Sequence, residues 1–242
     1  MSGQGWNTVL ETHARRKNPE KELASNVLLK ADRNVITIWD GFEKARFHFL
    51  VIPRDPFTLA SGEKLPSSDL VNLVALRKSD HAVEVLKALK KQADEVKAMI
   101  EDEMMKKDGW VWPIKMGFHA VESMRHVHMH VISSDMISDR LKNKKHYNSF
   151  HPTLGLFLHY DDVLEQCELG QNDFPPKSHF ESLEKEALVS FYTDEEFKTI
   201  PKLKEHLVAQ FERRAKAAKA KLKQKREAEE ARETVKKLKS DE

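Results

Sequence analysis

The chain has 242 residues, 40% of them apolar and 33% charged, with 41 Lys or Arg against 39 Asp or Glu and a formal net charge of +2. That length holds one full domain and a smaller second one, and no apolar run reaches the roughly 18 residues of a membrane span. The single cysteine, Cys167, excludes an internal disulfide and a cysteine-rich zinc site and agrees with a reducing compartment.

Residues 1–14 have no apolar core of a secretory signal, which predicts an intracellular protein. Residues 34–40 and 47–53 are β-rich runs separated by a short segment with Gly41, and read as antiparallel neighbours. Residues 68–107 contain neither Gly nor Pro and space their Leu, Val and Met as a helix does, predicting one long or two shorter helices capped by Ser67, Ser68 or Ser79. A second strand pair, 110–121 and 126–133, follows. Grouped strands with helices between them predict an α+β fold with a mainly antiparallel sheet. After Phe150 the composition changes: residues 170–176 form a turn-rich break, and 181–189 and 202–211 read as helices. From Glu212 the Ala, Lys, Glu and Arg lack the apolar spacing of a core, which predicts a solvated helical or disordered tail. Within it, residues 213–226 hold eight Lys or Arg and no acid, a block that attracts polyanions.

Seven of the twelve histidines lie between His119 and His159, and three alternate with apolar residues in His126-Val127-His128-Met129-His130. Alternation reads as a strand whose three imidazoles share one face while Val127, Met129 and Val131 enter the core. Such a row can attack phosphorus, orient a neighbour and donate a proton near neutral pH. Two histidines on one strand face can also share a metal ion, although no carboxylate or thiolate nearby completes a shell.

The run matches the His-φ-His-φ-His-φ-φ signature of the histidine triad family of nucleotide hydrolases and transferases. Residues 117–120 (Gly-Phe-His-Ala), Ser123, the triad run through Ser133, and residues 141–150 (Leu-Lys-Asn-Lys-Lys-His-Tyr-Asn-Ser-Phe) resemble the aprataxin group within it, the DNA 5′-adenylate hydrolases. Asp40 with residues 44–53 is similar to the segment that supports their nucleotide pocket. The resemblance implies a histidine triad fold and a nuclear, monomeric repair hydrolase that takes AMP from 5′-adenylated DNA or RNA–DNA ends. AMP is then a product, DNA repair proteins are partners, membranes are not, and catalysis needs no cofactor. It implies His128 as the nucleophile, His126 as the residue holding the His128 ring, and His130 facing the α-phosphate. His119 contacts or protonates phosphate, and Ser123 bonds a non-bridging oxygen. Asp40 accepts the ribose hydroxyls, with Ile38 and Trp39 near adenine; without the resemblance Asp40 reads equally well as a turn residue before Gly41. Lys44, His48, Arg54 and Thr58 line the approach of DNA, and Lys142, Lys144, Lys145 and His146 neutralise its phosphates. Ordinary surface charge is the competing reading for Lys44 and Arg54.

The resemblance divides the chain into an N-terminal arm (1–17), a catalytic domain (18–150), a degenerate zinc-finger-like DNA-binding region (151–211) and a basic tail (212–242). Residues 203–207, Leu-Lys-Glu-His-Leu, match the last helix of the finger that members of the group carry, but the paired cysteines upstream are replaced by residues 190–193, Ser-Phe-Tyr-Thr. Hydroxyls are poor zinc ligands. A structural zinc is therefore not expected, and Phe191, Phe197, Leu203, Leu207 and Phe211 are expected to hold the region together. Two other readings remain: a hydrolase of small adenylated nucleotides, and a non-catalytic nucleic-acid-binding module with a metal-loaded histidine row.

Overall fold

The computed structural model describes residues 5–171 and 173–240. A short 3₁₀ turn at Trp6–Thr8 leads into α1 (Val9–Ala14) and α2 (Pro19–Glu22). Three strands follow, β1 (Leu28–Ala31), β2 (Val35–Trp39) and β3 (His48–Pro53), then α3 (Leu73–Arg77) and α4 (Ala82–Asp108). The second half of the sheet is β4 (Ile114–His119) and β5 (Met129–Ser133), followed by α5 (Lys144–Asn148), β6 (Phe157–His159), α6 (Tyr160–Glu168) and α7 (Lys177–Leu183). A small hairpin of β7 (Leu188–Val189) and β8 (Glu196–Phe197) precedes α8 (Ile200–Ser240). The expected α+β class holds. The main sheet has the order β1-β2-β3-β5-β4-β6 with every described pairing antiparallel.

Helix α4 forms because Val85, Leu86, Leu89, Ala93, Val96, Ile100 and Met104 recur every three or four residues and are all buried. It ends at Gly109, whose φ of +74° lets the amide reach back to the Met105 carbonyl. The predicted serine caps are not used as such: Asn72 caps α3 by accepting the Ala75 amide at 2.7 Å, and the Ser67 hydroxyl donates to Asp55. α4 covers one face of the sheet through Val35, Phe49, Val51, Met129 and Val131. The opposite face is covered at one end by α1, where Leu10 and Ala14 pack with Ile36, Ile38, Leu50 and Ile52. At its other end Tyr147, Phe150, Leu203 and Leu207 pack on Ile132 and Phe157. The histidines lie between these two coverings.

The fold does not break at Phe150, because β6 pairs with β4 as the sixth strand and α6 continues onto α4. The predicted helix over 181–189 is displaced to α7. Beyond it, the Asn148 amide group donates to the Glu184 and Glu186 carbonyls, and residues 188–189 join the hairpin instead. The helix predicted over 202–211 does not end there; α8 runs for 41 residues. The segment past Glu212 is also less solvated than expected. Phe211, Ala215, Ala218 and Leu222, spaced by four, three and four residues, are half-buried, while the intervening cations are exposed. The Phe211 ring stacks on Trp112 at 5.0 Å, and the Leu222 side chain lies against Gly109.

Gly117 sits where β4 is squeezed between β5 and β6. A Cβ there would strike the Leu158 carbonyl oxygen and come within 2.8 Å of the Phe157 ring. Gly117→Ala is expected to cost about 2 kcal/mol or more of stability by forcing the strands apart, read as a lower urea midpoint. An unchanged midpoint would mean that β6 yields freely.

Candidate active site

The triad run is not all strand. β5 begins at Met129, because the His126 and Val127 amides donate instead to the Val71 and Leu70 carbonyls at 2.7 and 2.8 Å. His126 has φ of +97°, a conformation costly for a non-glycine residue. Its ring turns away from the row and its Nε2 bonds the Pro53 carbonyl at 2.7 Å. It is the backbone of His126 that holds the His128 ring: its carbonyl accepts from His128 Nδ1 at 2.7 Å. A carbonyl can only accept, so neutral His128 carries its proton on Nδ1 and leaves the Nε2 lone pair free.

A second relay fixes His130. The Lys44 amide donates to His48 Nδ1 at 3.2 Å, so neutral His48 is protonated on Nε2. That Nε2 lies 2.9 Å from His130 Nδ1 and 3.3 Å from an Asp40 oxygen. His130 Nδ1 is then an acceptor and its Nε2 carries the proton. The Nε2 atoms of His130 and His119 are both buried and bond no other protein group. The His119 and His130 rings are 4.2 Å apart, and Phe150 meets both edge-on. Asp40, His48 and His130 also bring nitrogen and oxygen atoms close enough to share a cation; their spacing as a hydrogen-bonded chain accounts for that closeness.

These groups line a cavity of about 490 Å³ that also takes in Lys44, Ser123, Lys142 and His146. Asp40, Lys44, His48, His119, Ser123, His128, His130, Lys142 and His146 are thus brought together as expected. Others are not. Ile38 is on the triad face but buried beside Leu50, and Trp39 points to the α4 side against Phe49. Arg54 and Thr58 lie beyond the far end of β3, roughly 17 Å of strand from His48. There Arg54 bonds the Arg16, Lys17 and Asp32 carbonyls and Thr58 bonds Asn34 and Lys64. Lys144 does not line the cavity, and Lys145 is paired with Glu184 at 2.9 Å. The sequence reading missed Trp6, Phe42, Met124, Arg140, Asn143, Ser149 and Phe150, all of which line the cavity. Trp6 and Phe42 are 67% and 66% exposed, and Arg140 and Lys44 each lie 5.9 Å from the Phe42 ring.

Burial holds His48, His126 and His128 below the ordinary imidazole value of 6.5, and His119 and His130 well below it. His13, His146 and His151 are lowered for the same reason. The unfolded chain takes up protons near 6.5 that these folded-state rings refuse, so their contribution is complete above that pH and is lost as pH falls through it toward the lowered values. The unfolding midpoint is expected to drop between pH 7 and pH 5. A midpoint level across that window would contradict buried neutral rings.

The family described as "Scavenger mRNA decapping enzyme C-term binding" matches residues 7–146, and the "C2HE / C2H2 / C2HC zinc-binding finger" family matches residues 153–213. Aprataxin of Danio rerio is 39% identical over 176 residues, which cover 73% of this chain and 47% of that protein. Aprataxin of Ciona intestinalis is 30% identical over 181 residues, covering 75% of this chain and 42% of that protein. The chain thus spans less than half the length of these two relatives. A crystal structure of the aprataxin ortholog Hnt3 in complex with DNA has the same fold, with a TM-score of 0.65 at 26% identity over 86% of this chain and 96% of that one. Taken with the histidine arrangement, these matches show that the chain belongs to the aprataxin family of histidine triad proteins.

Proposed function

We propose that the chain is a DNA-repair hydrolase that releases AMP from 5′-adenylated DNA ends. The observation that carries this reading is His128, held with a free Nε2 lone pair beside the unpartnered Nε2 atoms of His119 and His130. In the first step His128 Nε2 attacks the α-phosphorus. An N–P bond forms, the P–O bond to the DNA end breaks, and the 5′-phosphate leaves with the electron pair. The ring becomes cationic while its Nδ1–H stays on the His126 carbonyl, a dipole already in place for that charge. The His130 Nε2–H donates to a non-bridging oxygen. His119, kept neutral by burial, gains proton affinity when phosphate charge arrives and then donates to the departing oxygen. Water next attacks the same phosphorus, the N–P bond breaks with its electrons returning to Nε2, and AMP departs as the water's proton passes to solvent. Two displacements replace one difficult step, and no metal takes part.

Arg140, paired with Glu43 at 3.2 Å, and Lys142 give the cavity a positive rim with Lys44 buried behind them, and exposed Trp6 and Phe42 offer faces for stacking. The reading is tested by measuring AMP release, after exhaustive chelation, from a nicked duplex with an adenylated 5′ end and from AMP-lysine or diadenosine polyphosphate. A kcat/KM at least about tenfold higher on the DNA is expected, since only DNA engages the rim. Preference for the small adenylates would assign a general nucleotide hydrolase instead, and loss of activity on chelation would overturn the metal-free step.

A further inference from the structure

The zinc-finger match over residues 153–213 raises the question of what stands where the ion would be. A structural zinc site of this family takes four ligands from cysteine, histidine and, in its C2HE form, glutamate. Within the matched stretch, Cys167 is on α6, His159 on β6 and His179 on α7, so at the corner between the β7–β8 hairpin and α8 His206 has the Glu195 carboxylate near it but neither a cysteine nor a second histidine. Among the described residues, no cluster of potential metal ligands includes any residue of this corner. The residues present do not fit zinc.

A set of hydrogen bonds occupies the corner instead. The Ser190 hydroxyl and His206 Nε2 are 2.9 Å apart, the Tyr192 amide donates to the same hydroxyl oxygen at 3.1 Å, and a Glu195 carboxylate oxygen lies 3.5 Å from His206 Nδ1. With the Tyr192 amide donating to its oxygen, the Ser190 hydroxyl can give its proton to His206 Nε2, and Nδ1 is then the nitrogen that faces Glu195. The Ser190 amide also donates to the Glu195 carbonyl at 3.0 Å, and the Phe197 ring packs on His206 at 4.8 Å. Ser190 is 5% exposed, with its hydroxyl bonded to His206 Nε2 and its oxygen accepting from the Tyr192 amide. It is therefore engaged as a fastener, and not free as a nucleophile.

We infer that Ser190, His206 and Glu195 form a metal-free clasp that takes the place of the ion, joining the hairpin to α8. The clasp fixes residues 190–192, and these reach the catalytic sheet. The Tyr192 hydroxyl donates to the Ser134 carbonyl at 2.7 Å, just past β5. The Phe191 amide donates to the Tyr147 hydroxyl at 2.9 Å, and that hydroxyl donates to the Val189 carbonyl at 2.8 Å. Tyr147 is on α5, whose neighbours His146, Ser149 and Phe150 line the active-site cavity. The finger region is thus a buttress behind one wall of that cavity, held by protons where a metal would otherwise hold it.

The test uses the full chain. Metal analysis should find far less than one zinc per molecule, and a strong chelator should leave both the unfolding midpoint and the hydrogen exchange of the Tyr192 amide unchanged. Stoichiometric zinc, or faster exchange on chelation, overturns the clasp without any variant being made. Ser190→Ala and His206→Ala should each speed Tyr192 exchange roughly tenfold, the loss of one buried hydrogen bond. The double variant should be no worse than the worse single one, and Ser190→Thr, which keeps the hydroxyl, should restore protection. Additive effects, or exchange like the unaltered chain, show that Ser190 and His206 do not act together and overturn the clasp.

Discussion

His128→Ala is expected to lower AMP release by about a thousandfold or more, because no neighbouring group can supply the same lone pair. His119 and His130 present protons or lie in contact with other rings, and His126 is turned toward Pro53. Binding of adenylated DNA should change less than about threefold, since the cationic rim of Arg140 and Lys142 and the buried Lys44 are untouched. Single-turnover assays with trapping of a covalent histidyl-AMP check both statements, and turnover within a few fold of the unaltered chain would reject the assignment. His126→Ala is the informative contrast. It keeps the carbonyl that fixes the His128 tautomer but frees a residue held at φ of +97°, so a milder loss is expected.

Replacing Lys216, Lys219, Lys221 and Lys223 together with Gln is expected to flatten the salt dependence of DNA binding while hydrolysis of AMP-lysine stays unchanged. Each lost phosphate contact removes about 0.9 from the slope of log affinity against log salt, so four contacts remove roughly 3 to 4 and weaken binding by one to two orders of magnitude. Substitution is the right instrument because a cut at Glu212 would also remove Ala215, Ala218 and Leu222, the half-buried seam of α8. All four lysines are exposed and sit on a helix docked at Trp112 and Gly109, which holds Lys216, Lys219 and Lys223 on one flank and Lys221 on the other. A fluorescence titration at several salt concentrations decides; an unchanged slope would confine DNA binding to the cavity rim and its flanks.

The sheet and its catalytic face were legible because alternation is a local property. Val127, Met129 and Val131 had to enter the core, so His128 and His130 had to face the other way. His126 escaped the pattern because its positive φ depends on carbonyls from residues 70 and 71, distant in sequence. Trp39 could have been placed correctly. The period of two that puts Ile38 on the triad face puts Trp39 on the other. Arg54 and Thr58 were assigned by closeness in the chain to His48, but a six-residue strand carries its two ends apart. Trp6 and Phe42 left a weak signal, an isolated aromatic after glycine in a polar stretch, whose meaning appears only when loops meet over the cavity. The docked seam of α8 was hidden because alanines at 215 and 218 carry almost no hydropathy contrast.

The position of β6 bears on how the molecule can be dissected. A fragment ending at Phe150 matches the composition break and the first family match, yet it strips β4 of its outer neighbour. The Phe118 and Ala120 backbones, paired in the whole chain with Leu158 and the Leu156 carbonyl, would face water along an apolar strand. Such a naked margin recruits further strands, including those of identical fragments. Phe157, which packs near His119 and His130, would leave with it. Aggregation of the shortened chain would therefore report a missing partner strand rather than an unstable catalytic domain, and His159, the last residue of β6, sets the earliest end that leaves β4 its outer neighbour.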